Sequence, residues 1–318
     1  MSSYGGREGV GLIFLIGLAF LSATSCPALA EQELDAVADG NSISVMLGGE
    51  SLLRYHYGDV PFKPYVKELR ALSGLNVLLD APHDHLHHHG LMFAVAVDGV
   101  NFWEEAPTAG RQVQAGIVTE VSHGERPGQS IAGLEERLHW VDSGGKRLLL
   151  ERREIDCNRL SDSGATMLRW RSRLSVPEGV PSVALTGSHY FGLGMRFIRA
   201  MDERGTFRNA DGKPGVVFRG EERLVRSDWC AYAAQADGKD VTVAMFGHPD
   251  NPRHPTTWFT MATPFAYLSA TLGLHEKPLE IVEGKPMTLQ YAVVLWDRAV
   301  DAKEIDGLYQ QWLKSGAK

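Results

Sequence analysis

Five of the chain's twelve histidines stand between residues 83 and 89, in the run Pro82-His83-Asp84-His85-Leu86-His87-His88-His89-Gly90. Imidazole exchanges protons near neutral pH, and two or three rings on one face can also hold a divalent transition metal. In extended backbone His85, His87 and His89 share a face, while His88 takes the other. Asp84 can orient one ring through its second nitrogen. Gly90 leaves room for a close backbone approach. The plainer alternative is a solvated polar loop that caps the following strand. The density of titratable groups favours a functional site.

Three further clusters carry chemistry. Phe102-Trp103-Glu104-Glu105 follows the strand that the histidines introduce, so Trp103 and Glu105 can fold back beside them. An aromatic ring next to carboxylates suits sugar recognition: the ring stacks, and the acids bind hydroxyls or act as general base. The run His248-Pro249-Asp250-Asn251-Pro252-Arg253-His254-Pro255-Thr256-Thr257-Trp258 is stiffened by three prolines, which would fix polar side chains in a pocket or merely stiffen a connection. In Gly187-Ser188-His189-Tyr190-Phe191-Gly192-Leu193-Gly194-Met195-Arg196 the glycines at 192 and 194 point to a bulge or tight approach, and Arg196 to an acidic partner.

Other chemistries are poorly served. The chain has no Gly-x-Gly-x-x-Gly after a strand, no Walker loop, no Gly-x-Ser-x-Gly elbow and no His-Glu-x-x-His. Its 39 acidic residues outnumber 32 basic ones, a formal net charge of −7 that repels nucleic-acid phosphates.

The elements that must position these groups read as strands. Ile43 to Leu47 and Leu52 to Tyr57 form a pair around Gly48-Gly49, and Leu91 to Val97 is an apolar run ended by Asp98-Gly99. Leu148 to Asp156, Met167 to Val176, Val241 to Phe246 and Thr288 to Trp296 follow. In the second of these, Leu168, Trp170, Leu174 and Val176 alternate with Arg169, Arg171 and Arg173, which predicts a core face and a basic stripe. Helical spacing occurs from Ala302 to Lys314, where Asp301 and Glu304 suggest a capping box and Ile305, Leu308, Tyr309 and Trp312 a buried stripe. The pattern predicts an all-β chain: a large antiparallel β-sandwich, supersandwich-like, with one C-terminal helix.

Residues 1–30 read as a signal peptide, with Arg7, an apolar run from Val10 to Leu21 and Ala28-Leu29-Ala30 before Glu31. That run is shorter than the ~20 residues a membrane helix needs. The expected mature chain is one β-sandwich domain, 31–318, periplasmic or secreted, with no transmembrane segment. Cys157 and Cys230 are then either one disulfide or two buried thiols.

Asp84-His85-Leu86-His87-His88-His89-Gly90, Asn101-Phe102-Trp103 and Asp250-Asn251-Pro252-Arg253-His254-Pro255 resemble a bacterial family of unknown function usually labelled "methane oxygenase PmoA". The resemblance spans about Leu52 to Trp296. It implies an exported protein of sugar-degrading bacteria. Where that family often carries a basic residue before the glycine, this chain has His89. The label implies several bilayer crossings, which no segment of the expected mature chain can make, so methane oxidation is set aside. His189-Tyr190-Phe191-Gly192-Leu193 is similar to the His-x-Tyr-Phe-Asn-Leu segment of galactose mutarotase-like enzymes, large β-sandwiches that use a histidine acid and a carboxylate base.

The sequence therefore leads to an exported protein acting on a small carbohydrate through a His-rich pocket, its reaction type open. The alternatives are a non-catalytic sugar-binding module and a structural β-sandwich. His85, His87, His88, Glu105 and His254 are the expected catalytic groups, a divalent transition metal being one role for the imidazoles. Trp103, Arg196, His248, Asn251 and Trp258 are the expected substrate contacts, the two tryptophans as stacking surfaces. All of this requires the segments near 85, 103 and 254 to converge on one cavity.

Overall fold

The computed structural model describes residues 1–6, 33–122 and 130–315. The chain divides into two compact units, Met1–Glu31 and Gln32–Lys318, and the description below concerns the second. The expected leader lies outside the described residues apart from its first six.

Among the described residues, strands build three antiparallel sheets of ten, eight and four strands. The ten-stranded sheet carries Leu91–Ala94, Gly192–Arg196, Tyr267–Thr271 and Thr257–Met261 side by side. The eight-stranded sheet holds Arg147–Leu160, Ala165–Ser175 and Met287–Trp296 side by side near its middle. The apolar run from Leu91 to Val97 breaks at Val95. Leu91–Ala94 stays in the large sheet, and Ala96–Val97 moves to the small one. Periodicity could not show this switch, because both pieces are buried.

The main core lies between the two large sheets and includes Phe93, Trp140, Trp170, Leu174 and Trp258. A second core fills the outer side of the eight-stranded sheet, where Met167, Phe246 and Trp296 meet Ile305, Leu308, Tyr309 and Trp312 of the helix Ala302–Lys314. Asp301 caps that helix by accepting from the Glu304 amide at 2.9 Å. The expected capping box stays half-built, since the Glu304 carboxylate pairs with Arg298 instead. Two arginines of the basic stripe are paired across the strands, Arg169 with Asp156 and Arg171 with Glu154, while Arg173 stands opposite Arg152. Cys157 and Cys230 are both buried and free, which decides between the two readings of the cysteines.

One polar cluster crosses the main core. Arg153 is fully buried, and all five of its N–H donors find partners. They go to both oxygens of Glu151 at 2.9 Å, to Gln112 at 2.9 Å, to the Tyr55 hydroxyl at 3.0 Å and to the Pro64 carbonyl at 3.2 Å. Tyr55, from the ten-stranded sheet, donates in turn to Glu136. Arg153 thus pairs with Glu151 directly and with Glu136 through the Tyr55 hydroxyl. Burial pushes the Glu136 pKa up to about 7, with Arg153 and Tyr55 only partly offsetting it.

That shift sets a pH dependence. A carboxyl whose folded pKa is raised stabilises fully below its unfolded value near 4.5 and loses that contribution as pH rises through about 7. We predict that chemical denaturation shows stability falling between pH 4.5 and 7 by on the order of 3 kcal/mol, and that Glu136→Gln removes most of this slope. An unchanged slope in the variant would refute the assignment.

Candidate functional site

The histidine loop is not extended. His85 donates its amide to Pro82 and His88 to His85, two turns in succession, before Ala81 and His88 close the loop at 2.9 Å. His85, His87 and His88 therefore gather on one side, with ring centroids 4.6 to 5.9 Å apart. His89 points elsewhere. This corrects the expected pairing of faces, and turn hydrogen bonds are the reason. Gly90, at φ +24°, lets the Val66 carbonyl approach where any side chain would collide with it.

His89 sits in a clamp. Its Nδ1 lies 2.7 Å from Asp80 and its Nε2 2.9 Å from Glu105. Lys63, almost wholly buried, donates to the same Glu105 oxygen at 2.7 Å, and Tyr65 donates to Asp80 at 3.0 Å while its ring stacks on His89. Burial alone would lower the His89 pKa, but the hydrogen bonds to Asp80 and Glu105 outweigh it and raise it. Asp80 and Glu105 are held below their ordinary values: burial raises both, and His89, helped by Tyr65 and Lys67 at Asp80 and by Lys63 at Glu105, more than reverses it. His89 thus fills an ionic role, as the cation between two carboxylates. Glu105 is engaged in this clamp.

On the other side of the loop, His85 is held by Asp84 at 2.9 Å and His87 lies 3.4 Å from Glu104. Burial, reinforced by the charges of His87, His85 and Arg196, lowers the His88 pKa to about 2, so this ring is neutral. Burial also lowers that of His87, with Glu104 opposing. His88 meets Phe265, Tyr267 and Trp103 at 5.0 to 6.4 Å. Phe265, Tyr267 and Trp103 are buried members of the main core cluster, on the side of the ten-stranded sheet that Gly194 and Arg196 face. Gly194 is bare there because a Cβ would strike the Tyr267 hydroxyl and the Trp103 ring. Arg196, two residues on, stacks over Phe265 at 4.0 Å and donates to Asp202 at 3.3 Å. Three buried atoms here, His88 Nδ1, Trp103 Nε1 and Arg196 Nε, have no hydrogen-bond partner among the described residues.

The aromatic path continues from Trp103 through Tyr190 at 5.3 Å to His189 at 5.0 Å. His189 is hydrogen-bonded to Glu222 at 2.9 Å and to the Ser188 hydroxyl at 3.1 Å, and burial lowers its pKa against the pull of Glu222. Phe218 stacks on its ring at 3.8 Å. Tyr190 feels both ends of this path: burial raises its pKa first, then the charge of Glu104, with Arg219 and Glu222 contributing.

The proline-rich motif is elsewhere. Leu91 aligns with Met195, Leu268 and Thr260, whereas Thr257 aligns with Thr271 and Gly192. The histidine loop and the 248–256 loop thus enter these strands from opposite ends. Among the described residues no hydrogen bond, ion pair or ring contact joins His248, Asn251 or His254 to His85, His87 or His88. Asn251 bonds both backbone groups of Gln290, His248 packs on Trp312, and His254 pairs with Asp228 at 3.1 Å. Arg253 donates to four carbonyls, those of Leu272, Gly273, Lys277 and Pro278. The motif is a clasp on the chain, and this corrects the expected convergence. Trp103 and Trp258 have no exposed surface, so neither offers the open stacking face expected of it. Trp258 points inward by strand alternation, and its neighbour Phe259 meets His189 and Tyr190 instead.

Sequence reasoning passed over Lys63, Tyr65, Asp80 and Glu222. A lysine between Pro61-Phe62 and Pro64-Tyr65 is the one local hint of burial; the others gave none. Among the described residues no three His, Cys, Asp or Glu groups stand ready to hold a metal ion.

Fold and face together define an all-β sandwich with imidazole–carboxylate pairs laid along one sheet. The chain belongs to a family of unknown function, DUF6807, whose profile matches residues 42–310. No curated protein matches it in sequence. Among solved structures it is similar to a family-36 α-galactosidase of Geobacillus stearothermophilus in complex with raffinose, at 12% identity and a TM-score of 0.42 over 84% of this chain and 41% of that one. It is also similar to a glycoside hydrolase family 97 enzyme of Pseudoalteromonas sp. strain K8, at 7% identity and 0.42 over 85% and 35%. A third is a galactose mutarotase related enzyme of Lactobacillus acidophilus, at 8% and 0.25 over 85% and 100%. The chain thus spans about two-fifths of the α-galactosidase's length.

The clamp has its own pH signature. The raised His89 pKa stabilises fully below its unfolded value of 6.5 and is lost as pH climbs above it, while the lowered Asp80 and Glu105 values lose theirs only below 3.8 to 4.5. His89→Gln should remove the loss of stability that wild type shows above pH 6.5. Ring-nitrogen NMR should show His89 protonated at pH 6.5 and His88 neutral; the reverse order would refute the clamp.

Proposed function

We propose that this is an exported protein that acts on a small carbohydrate beside the histidine loop and the His189–Tyr190 segment, by acid–base chemistry of its imidazoles. The mature form begins near Glu31, the leader being removed, and is a single domain. The observation that carries the reading is the pair of imidazole–carboxylate couples, His87–Glu104 and His189–Glu222, joined ring to ring through His88, Trp103 and Tyr190.

A carboxylate behind an imidazole fixes the ring's orientation and supports the cation formed when it accepts a proton. Both imidazoles are held neutral by burial, which makes them bases at neutral pH. Tyr190, between them, supplies a hydroxyl. The chain's negative charge disfavours nucleic acid as the ligand. No step of this proposal passes through a metal ion.

Calorimetry against a panel of hexoses and hexose derivatives, with products followed by mass spectrometry, tests the proposal. Wild type should bind and convert at least one of them. His87→Ala and His189→Ala should each lower turnover at least a hundredfold, with little change in melting temperature. His254→Ala should lower the melting temperature and spare turnover. The rate should fall only below pH 6.5, where the two bases take up protons. Binding without product would make the protein a sugar-binding module. Silence across the whole panel would sink the proposal.

A further inference from the structure

Beside the His189 end of the face runs a groove of about 920 Å³, near the upper end of the ~300–1,000 Å³ common for small-molecule sites. One wall is the hairpin strand Val216–Arg219, whose Val216, Val217 and Phe218 are all exposed. The opposite side brings Arg226, Thr257, His275 and Glu276. Two wall residues also belong to the face already described: Phe218 stacks on His189, and His275 lies 6.0 Å from the same ring. Two groove residues, Phe218 and His275, thus pack directly against the His189 ring.

Its floor is held rigid. Arg253 lines the groove while its guanidinium bonds the four carbonyls of the 272–278 loop, so the shape is set before any ligand arrives. Arg226 in turn donates to the carbonyls of Arg253 and His254. Three adjacent exposed apolar side chains on one short strand are an expense that soluble surfaces usually reserve for binding.

We infer that this groove seats the second sugar unit of an oligosaccharide whose first unit lies on the His189–Tyr190 face, which makes the natural ligand a glycoside and not a free hexose. The inference rests on the carbohydrate reading given above. A pyranose has one face of C–H groups and a rim of hydroxyls. Phe218 and Val216 match the former; Thr257, Glu276 and Arg226 match the latter.

The test compares glucose with maltose and cellobiose, and galactose with lactose and melibiose, by calorimetry on the full-length mature protein. At least one disaccharide should bind tenfold or more tightly than its own hexose. Val216→Glu, at a side chain that faces solvent and has no part in the fold's core, should cancel that gain and leave hexose binding as it was. Phe218→Ala should also cancel it. Equal affinity for hexose and disaccharide in wild type overturns this inference alone, as does a Val216→Glu protein that keeps the full gain. Failure of every sugar to bind overturns the carbohydrate reading, and this inference with it.

Discussion

A guanidinium sealed between two sheets must satisfy every donor, because no water is there to help. Arg153 meets that demand by reaching in five directions, and the reach fixes more than the core. Its bond to the Pro64 carbonyl and the bond of Gln112 to the Phe62 carbonyl pin the segment between them. Lys63 is consequently aimed at Glu105, Glu105 holds His89, and His89 closes onto Asp80. The histidine loop is thus anchored, through four polar links, to the centre of the molecule. Leaving Glu151 without its partner would cost ~3–5 kcal/mol and release that whole line.

The same run of histidines divides into two electrostatic kinds. His89 is surrounded by carboxylates and keeps its proton; His88 is surrounded by rings and other imidazoles and gives it up. Residues adjacent in sequence come to opposite states because one turn sends their side chains into different surroundings. The charged ring ties the loop to its carboxylates, and the neutral ring lies among aromatic side chains. The aromatic layer beneath them is sealed by close contacts such as the 5.0 Å stacking of Trp103 on Phe191, so the polar groups stand on a firm base.

How much of this could be read from the chain depends on whether the signal was local. Alternation at Leu168 to Val176 and helical spacing at Ile305 to Trp312 are local, and they located the sheet and the helix. The approach of Trp103 and Glu105 to the histidines was also legible, since a short strand and a tight turn separate them. The fate of the 248–258 motif was not. A proline-stiffened loop bearing His, Asn and Arg looks the same whether it holds a ligand or its own chain. Which end of the sheet it occupies depends on the order and direction of four strands drawn from distant parts of the sequence. Lys63 and Glu222 were invisible for the same reason: each owes its role to a partner more than thirty residues away.

The two unbridged thiols bear on how the molecule is made. Cys157 and Cys230 lie in separate strands with no solvent access, and burial raises the pKa of each well above that of a free thiol. Thiolate, the reactive form, is therefore suppressed, and neither sulfur is available to oxidants or exchange partners. The β-sandwich closes without any covalent cross-link. Among the described residues the architecture is accordingly indifferent to redox poise, and a reducing agent should leave its melting temperature unchanged.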